Sequence, residues 1–331
     1  MMTAGTFVLT RHDVQHFLGL VDCIEAVEHA FRLYGQGKTL PPAMTGVHAS
    51  DGGFHLKAGI LPLARSYFAA KVNGNFPNNR QLFNLPTIQG VIVLCDAQNG
   101  RPLAVLDSME ITASRTAAAT AVAAKYLARK DSTVVTICGC GDQGRVQLQA
   151  LAQILMLQRA FAYDIAEERA REFAEESSAR LGIPVQAMED LNDATERSDV
   201  CVTCTSSRNA FLKRQHIRAG TFIAAVGADN PEKQELEPEL MASAKIVVDI
   251  LDQCASSGDL HHAIRAGAVS RSEVHAELGE VVAGKRPGRV SQEETIIFDS
   301  TGMALQDVAA AALVYEKAVQ ARFERTVDFA A

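Results

Sequence analysis

Thr133-Val134-Val135-Thr136-Ile137-Cys138-Gly139-Cys140-Gly141-Asp142-Gln143-Gly144 is the stretch on which the reading of the fold turns. A β-branched apolar run leads into Gly-x-Gly-x-x-Gly, and a helix-forming segment continues to about residue 156. Each glycine has a physical task. Gly139 permits a tight turn, Gly141 lets a pyrophosphate approach the backbone, and Gly144 lets the helix pack closely on the strand. The N–H groups that open the helix, with its dipole behind them, then hold phosphate charge. Asp142 and Gln143 fill the turn and join the three glycines as candidate cofactor contacts. The glycine spacing alone is a weak signal. Here it has a strand before it, a helix after it and an acid, Asp164, at the end of the next strand. A carboxylate at that point accepts hydrogen bonds from both ribose hydroxyls and repels a 2′-phosphate, so NAD(H) is expected over NADP(H). A helix N-cap is the structural alternative for Asp164.

Working outward, further strands read at 158–163, 185–188, 200–205, 222–226, 246–249 and 295–299, with helical segments between most of them. Strand and helix alternation at this spacing means a doubly wound parallel sheet. Upstream the pattern differs. A helix spans 22–34, opened by a capping-box spacing of Asp22 and Glu25. Alternating segments follow at 54–59, 67–72, 88–96 and 102–107, the last two joined by the hairpin signal Gln98-Asn99-Gly100. An Ala-rich helix spans 112–129, and a final helix, about 303–323, returns to the N-terminal part. The expected fold class is therefore α/β. A Rossmann-type doubly wound sheet over 130–302 is joined to an α+β substrate and dimerisation domain over 1–129, with 303–331 returning to it.

The length of 331 residues suits two domains. A hydrophobic fraction of 47% and a charged fraction of 21% are ordinary for a globular chain. The net charge of -7, with no dense Lys/Arg block, argues against nucleic acid as a partner. No signal-peptide pattern opens the chain and no apolar stretch is long enough to span a bilayer, so a cytoplasmic protein without membrane contact is expected. Seven scattered cysteines suit a reducing compartment. Cys201-x-x-Cys204 looks like half a metal site, but it falls in an apolar strand-like run with no second ligand pair nearby. It reads as core packing, and no metal is expected.

Several polar residues interrupt apolar context. Lys57 and Lys71 lie inside strand-like segments, and lysine is costly to bury unpaired. They read either as edge-strand residues facing water or as a cationic pocket beside Asn73, with Lys71 binding a carboxylate or exchanging protons. Arg115 sits early in the Ala-rich helix, against the macrodipole. It reads either as solvated or as a clamp on a substrate carboxylate. Asp229 follows the strand at 222–226, where ligands bind in such sheets, and fits an amine-holding or general-base role; an Asx turn before Pro231 is the alternative. Ser300, in Asp299-Ser300-Thr301-Gly302, either caps the last helix or faces a nicotinamide. Thr116, Thr205 and Val226 complete the candidate cofactor contacts.

At this point the residues resemble the ornithine cyclodeaminase/mu-crystallin family. The similarity rests on Lys71-Val72-Asn73 with Leu85-Pro86-Thr87, Arg115-Thr116-Ala117-Ala118, Ala124-Lys125-Tyr126-Leu127-Ala128 and the glycine turn. It continues through Val226-Gly227-Ala228-Asp229, Lys233-Gln234-Glu235-Leu236, Glu277-Leu278-Gly279-Glu280-Val281 and Phe298-Asp299-Ser300-Thr301-Gly302. The resemblance implies a homodimer and hydride transfer between a nicotinamide and the α-carbon of an amino or imino acid. It implies that Lys71 and Arg115 lie on the carboxylate side and that Asp229 handles the amine. Many members carry an Arg after a Pro-Pro pair. Here Pro41-Pro42 is followed by Ala43, and Lys57 is the candidate replacement.

Three functions stay open on the sequence. The first is an NAD(H)-dependent oxidoreductase of the alanine dehydrogenase/imino-acid reductase type. The second is an ornithine cyclodeaminase, converting L-ornithine to L-proline and ammonia with catalytic NAD+. The third is a non-catalytic, mu-crystallin-like NAD(P)H- and ligand-binding protein.

Overall fold

The computed structural model describes residues 5–329. They group into two compact units: residues up to Arg115 together with those from Met303 onward, and Thr116–Gly302.

The first unit is built on a seven-stranded mixed sheet. Its order is Thr326–Val327, Thr6–Leu9, Pro102–Asp107, Ile88–Asp96, Ser66–Asn75, Gly52–Pro62 and Ala43–Ala49. The long middle strands pair antiparallel. Side chains alternate between faces along each strand. On one face Leu61, Tyr67, Ala69, Lys71, Ile92, Leu94 and Leu106 are buried. The helix Ala304–Gln320 packs on strands Gly52–Pro62 and Ser66–Asn75, and Leu20–Gly35 packs on that helix. Alanines at Ala309, Ala310, Ala311 and Ala312 keep its surface low, so it is buried almost all round. On the opposite face Val47, Phe54 and Val91 are exposed.

Two sequence expectations are corrected in this unit. The helix read from Asp22 begins at Leu20 with Gly19 as its N-cap, so Asp22 and Glu25 form no capping box. Asp22 instead pairs with Lys317. The Ala-rich helix begins at Ser108, not Thr112, and runs to Leu127. Arg115 is therefore two turns inside it, and the macrodipole argument drops away.

The second unit is an eight-stranded parallel sheet in the order Ala276–Glu277, Lys245–Val248, Ile296–Asp299, Phe222–Ala225, Val200–Thr203, Val134–Cys138, Arg159–Tyr163 and Val185–Ala187. Every residue of Val200–Thr203, Phe222–Ala225 and Ile296–Asp299 is buried, as strands covered on both faces require. The chain leaves Val134–Cys138 first toward Arg159–Tyr163 and later returns on the other side as Val200–Thr203. That reversal opens a crevice at the carboxyl ends of the strands. The strand expected near 295–299 is present and inserts between Phe222–Ala225 and Lys245–Val248. Among the described residues, no helix is long and apolar enough to cross a membrane.

Candidate active site

In the parallel-sheet unit the glycine turn sits at the crevice. Gly139 has φ 104°, and a Cβ there would come within 2.9 Å of the Cys204 carbonyl oxygen. A Cβ on Gly144 would lie 2.2 Å from the Gly139 carbonyl oxygen, so only glycine lets the helix Asp142–Ile154 start this close to its strand. Gly141 is the N-cap of that helix and no side chain caps it. A Cβ at Gly141 would meet nothing within 4 Å, so the space beside the helix start is open. Asp142 is exposed and Gln143 half-buried. Asp164 braces the turn: its Oδ2 accepts from the Cys140 N–H at 2.9 Å and its Oδ1 from the Ala166 N–H at 3.0 Å. Each oxygen keeps a further lone pair. These features fit a dinucleotide.

Of the other cofactor candidates, Thr205, Val226 and Ser300 lie at neighbouring strand ends of the same unit. The Thr205 N–H and hydroxyl both donate to Glu235 Oε1, at 2.6 and 2.7 Å. The Val226 N–H donates to the Thr203 carbonyl at 2.9 Å. The Ser300 hydroxyl donates to Asp249 Oδ2 at 2.9 Å. Thr116 is half-buried on the helix Ser108–Leu127. Asp229 is exposed and ion-paired with Lys233 at 2.8 Å.

The sequence reading missed what holds these strand ends. Glu235, Asp249, Asp259 and Asp299 are all fully buried. Glu235 also accepts from the Thr203 hydroxyl at 2.8 Å and the Gly227 N–H at 2.9 Å, while Asp259 Oδ1 accepts from the N–H groups of Glu235 and Leu236. Burial, reinforced by the Glu235 charge, pushes Asp259 up to about 7. Burial likewise raises Asp299 far above the usual carboxylate range. Cys201 is fully buried in its strand, 3.9 Å from the Cys138 sulfur.

In the first unit the structure brings Lys57, Lys71 and Arg115 into one electrostatic neighbourhood. Lys57 and Lys71 are direct cross-strand partners in the interior of the sheet, so the edge-strand reading fails for both. Lys71 is 4% exposed and Arg115 5%, which also excludes a solvated Arg115. Their charges are met by Asp307, on the C-terminal helix. Lys71 Nζ lies 2.9 Å and Arg115 Nε 3.1 Å from the same oxygen, Asp307 Oδ1. Lys71 Nζ also donates to the Thr112 hydroxyl at 3.3 Å, and Arg115 Nη1 to Gln306 Oε1 at 2.8 Å. Burial drives Lys71 down to about 7; the Asp307 carboxylate opposes that shift, and the Arg115 and Lys57 charges add to it. Burial would raise the Asp307 carboxyl, but the Lys71 and Arg115 charges outweigh it and hold it below its ordinary value. Asn73, on the same strand as Lys71, accepts from the Ser108 hydroxyl at 2.6 Å. Asp307 and Gln306 escaped the sequence reading because an acid in a helix's first turn is usually read as complementing the dipole.

The chain matches the ornithine cyclodeaminase/mu-crystallin family over residues 4–322. It is 39% identical to the alanine dehydrogenase of Archaeoglobus fulgidus over 325 residues, covering 98% of each chain. Its structure superposes with a TM-score of 0.93 on an archaeal alanine dehydrogenase dimer with bound NAD, at 40% identity and with 98% of this chain and 99% of that one covered. The Thermococcus litoralis Delta(1)-pyrroline-2-carboxylate reductase in complex with NADH and L-proline gives a TM-score of 0.89 at 35% identity, with 96% and 98% covered. The chain belongs to the ornithine cyclodeaminase/mu-crystallin family.

Proposed function

We propose that the protein is an NAD(H)-dependent oxidoreductase acting at the α-carbon of an L-amino acid or its imine, of the alanine dehydrogenase/imino-acid reductase type. The observation that carries this reading is the buried pair Lys71 and Arg115, two cations at one carboxylate oxygen beside a third cation, Lys57. With Asp307 ionised, the group retains an excess of positive charge that a substrate carboxylate would balance. The similarity to an alanine dehydrogenase and an imino-acid reductase at 35–40% identity supports the same chemistry.

The glycine turn and Asp164 hold the dinucleotide, with Asp164 selecting NAD(H) and Thr116, Thr205, Val226 and Ser300 completing its contacts. A nicotinamide held there would supply or take the hydride at the α-carbon. Arg115 grips the substrate carboxylate through its guanidinium, and Lys57 adds charge where an Arg is missing after Pro42. Asn73 orients the substrate. Lys71, with a pKa near neutrality, holds or releases the proton at the nitrogen, and Asp229 receives the amine. The 1–129 segment with 303–331 serves as the substrate and dimerisation domain and 130–302 as the cofactor domain. The homodimer forms through the sheet face that exposes Val47, Phe54 and Val91.

The test is NADH consumption with a panel of 2-oxo acids plus ammonia or methylamine, with products identified by mass spectrometry. Turnover to an amino acid is the expected result. Proline and ammonia from L-ornithine with catalytic NAD+ and no net NADH would replace this reading by cyclodeamination.

A further inference from the structure

We infer that Asp307, seconded by Gln306, is the positioning residue of the substrate site: it sets the separation of Lys71 and Arg115, holding Arg115 toward the substrate carboxylate and Lys71 toward the reacting nitrogen. The inference rests on the function proposed above and assigns a part to residues outside that mechanism. Four buried polar side chains meet here, from a strand (Lys71), the helix Ser108–Leu127 (Arg115) and the helix Ala304–Gln320 (Gln306 and Asp307). One oxygen, Asp307 Oδ1, contacts both Lys71 and Arg115. Gln306 Oε1 takes the Arg115 Nη1 hydrogen and so fixes the plane of the guanidinium.

What the cluster leaves unmet points to a ligand. Asp307 Oδ2 and Gln306 Nε2 are buried without a hydrogen-bond partner, and Arg115 Nε, though in ion-pair contact with Asp307, lies off the hydrogen-bonding line. Buried polar atoms are nearly always satisfied, so a group of unmet atoms around two held cations is a site waiting for polar atoms from outside the chain. A substrate carboxylate would supply acceptors for Arg115 Nε and Gln306 Nε2, and the N–H of an amino or imino group would supply a donor for Asp307 Oδ2. The groups facing Lys71 are Asp307 and Arg115 from the two helices and Lys57 and Thr112 from the neighbouring strand and helix. The Cys23 thiol, near Arg115 and Asp307, is pushed up to about 12 by burial and carries no charge there. Asp307 is thus the acid among the named groups that opposes the depression of Lys71.

The test uses the full-length protein and the Asp307→Asn variant, with 13C-labelled lysine to follow the Lys71 titration by NMR, assigned by its loss in Lys71→Met. KM for L-alanine and Kd for NADH are measured alongside. Loss of the carboxylate charge is expected to move the Lys71 midpoint down by about one pH unit or more. It is expected to raise KM by about tenfold or more, with NADH affinity unchanged. A purely structural role would lower the melting temperature and move the Lys71 midpoint, but leave KM unchanged. A folded Asp307→Asn protein with KM unmoved overturns the inference, whatever the midpoint does. Should that variant not fold, Asp307→Glu keeps the charge and displaces the oxygen; a raised KM with the midpoint retained supports the inference, and an unchanged KM overturns it. Full turnover in Lys71→Met would overturn the proposed role of Lys71 instead, while KM in Asp307→Asn would still decide the part of Asp307.

Discussion

Asp164 has a structural part that the fold shows and a proposed part in cofactor selectivity. It ties the glycine turn to the following segment through the N–H groups of Cys140 and Ala166. Its remaining lone pairs suit ribose hydroxyls, and its charge opposes a phosphate. NADH is therefore expected to bind at least about tenfold more tightly than NADPH, and Asp164→Asn, which keeps the shape and removes the charge, is expected to narrow that ratio. Fluorescence titration of the two cofactors measures it; an equal preference in the unaltered protein would contradict the assignment. Lys71 and Arg115 illustrate the limits of reading residues from sequence. Their interruption of apolar runs was visible, and so was the choice between water and a pocket. Their counter-charge was not, because Asp307 lies far along the chain and only the return of the last helix brings it to them.

At the scale of elements, the glycine-turn strand and its helix were legible because each glycine answers a local steric demand. Gly144→Ala sets a methyl group against the Gly139 carbonyl. It is expected to cost about 1–3 kcal/mol and to weaken NADH binding at least tenfold through a displaced helix start; wild-type affinity would contradict this. The start of Leu20–Gly35 was less legible, since the Asp22–Glu25 spacing mimics a cap that the chain does not use. The buried acids behind the strand ends were not legible at all, because burial and not residue order defines them. They have a measurable consequence. The folded-state pKa of Asp259 is raised from 3.8 to about 7, so between those values the folded chain holds a proton that the unfolded chain has released. Stability from this group is greatest at the acid end of that window and is lost as pH rises through it. Replacing Asp259 by Asn removes the titration, so the melting temperature of Asp259→Asn relative to wild type is expected to rise from pH 5 toward pH 8. A difference independent of pH would remove Asp259 as its source.

For the whole molecule, sheet order separates the two units more clearly than composition does. The parallel unit has fully buried strands and was read from apolar runs with helices between them. The mixed sheet was read only in part: Ala43–Ala49, exposed along its whole length, carries no alternating apolar signal, and Thr6–Leu9 is too short to stand out. The apolar face of that sheet belongs to the proposed dimer. Val91→Lys is expected to shift the protein from dimer to monomer in light scattering while NADH binding persists. A monomeric wild-type protein would contradict that arrangement. The proposed reaction turns on which carbon receives the hydride, and a deuterium label follows it there. NADH carrying deuterium at both hydrogen positions of the nicotinamide C4 is supplied with the 2-oxo acid panel and ammonia, and the amino-acid product is analysed by mass spectrometry and NMR. The expected result is one deuterium on the α-carbon; NADH oxidation without deuterium at that carbon, or no amino acid from any member of the panel, would contradict the account.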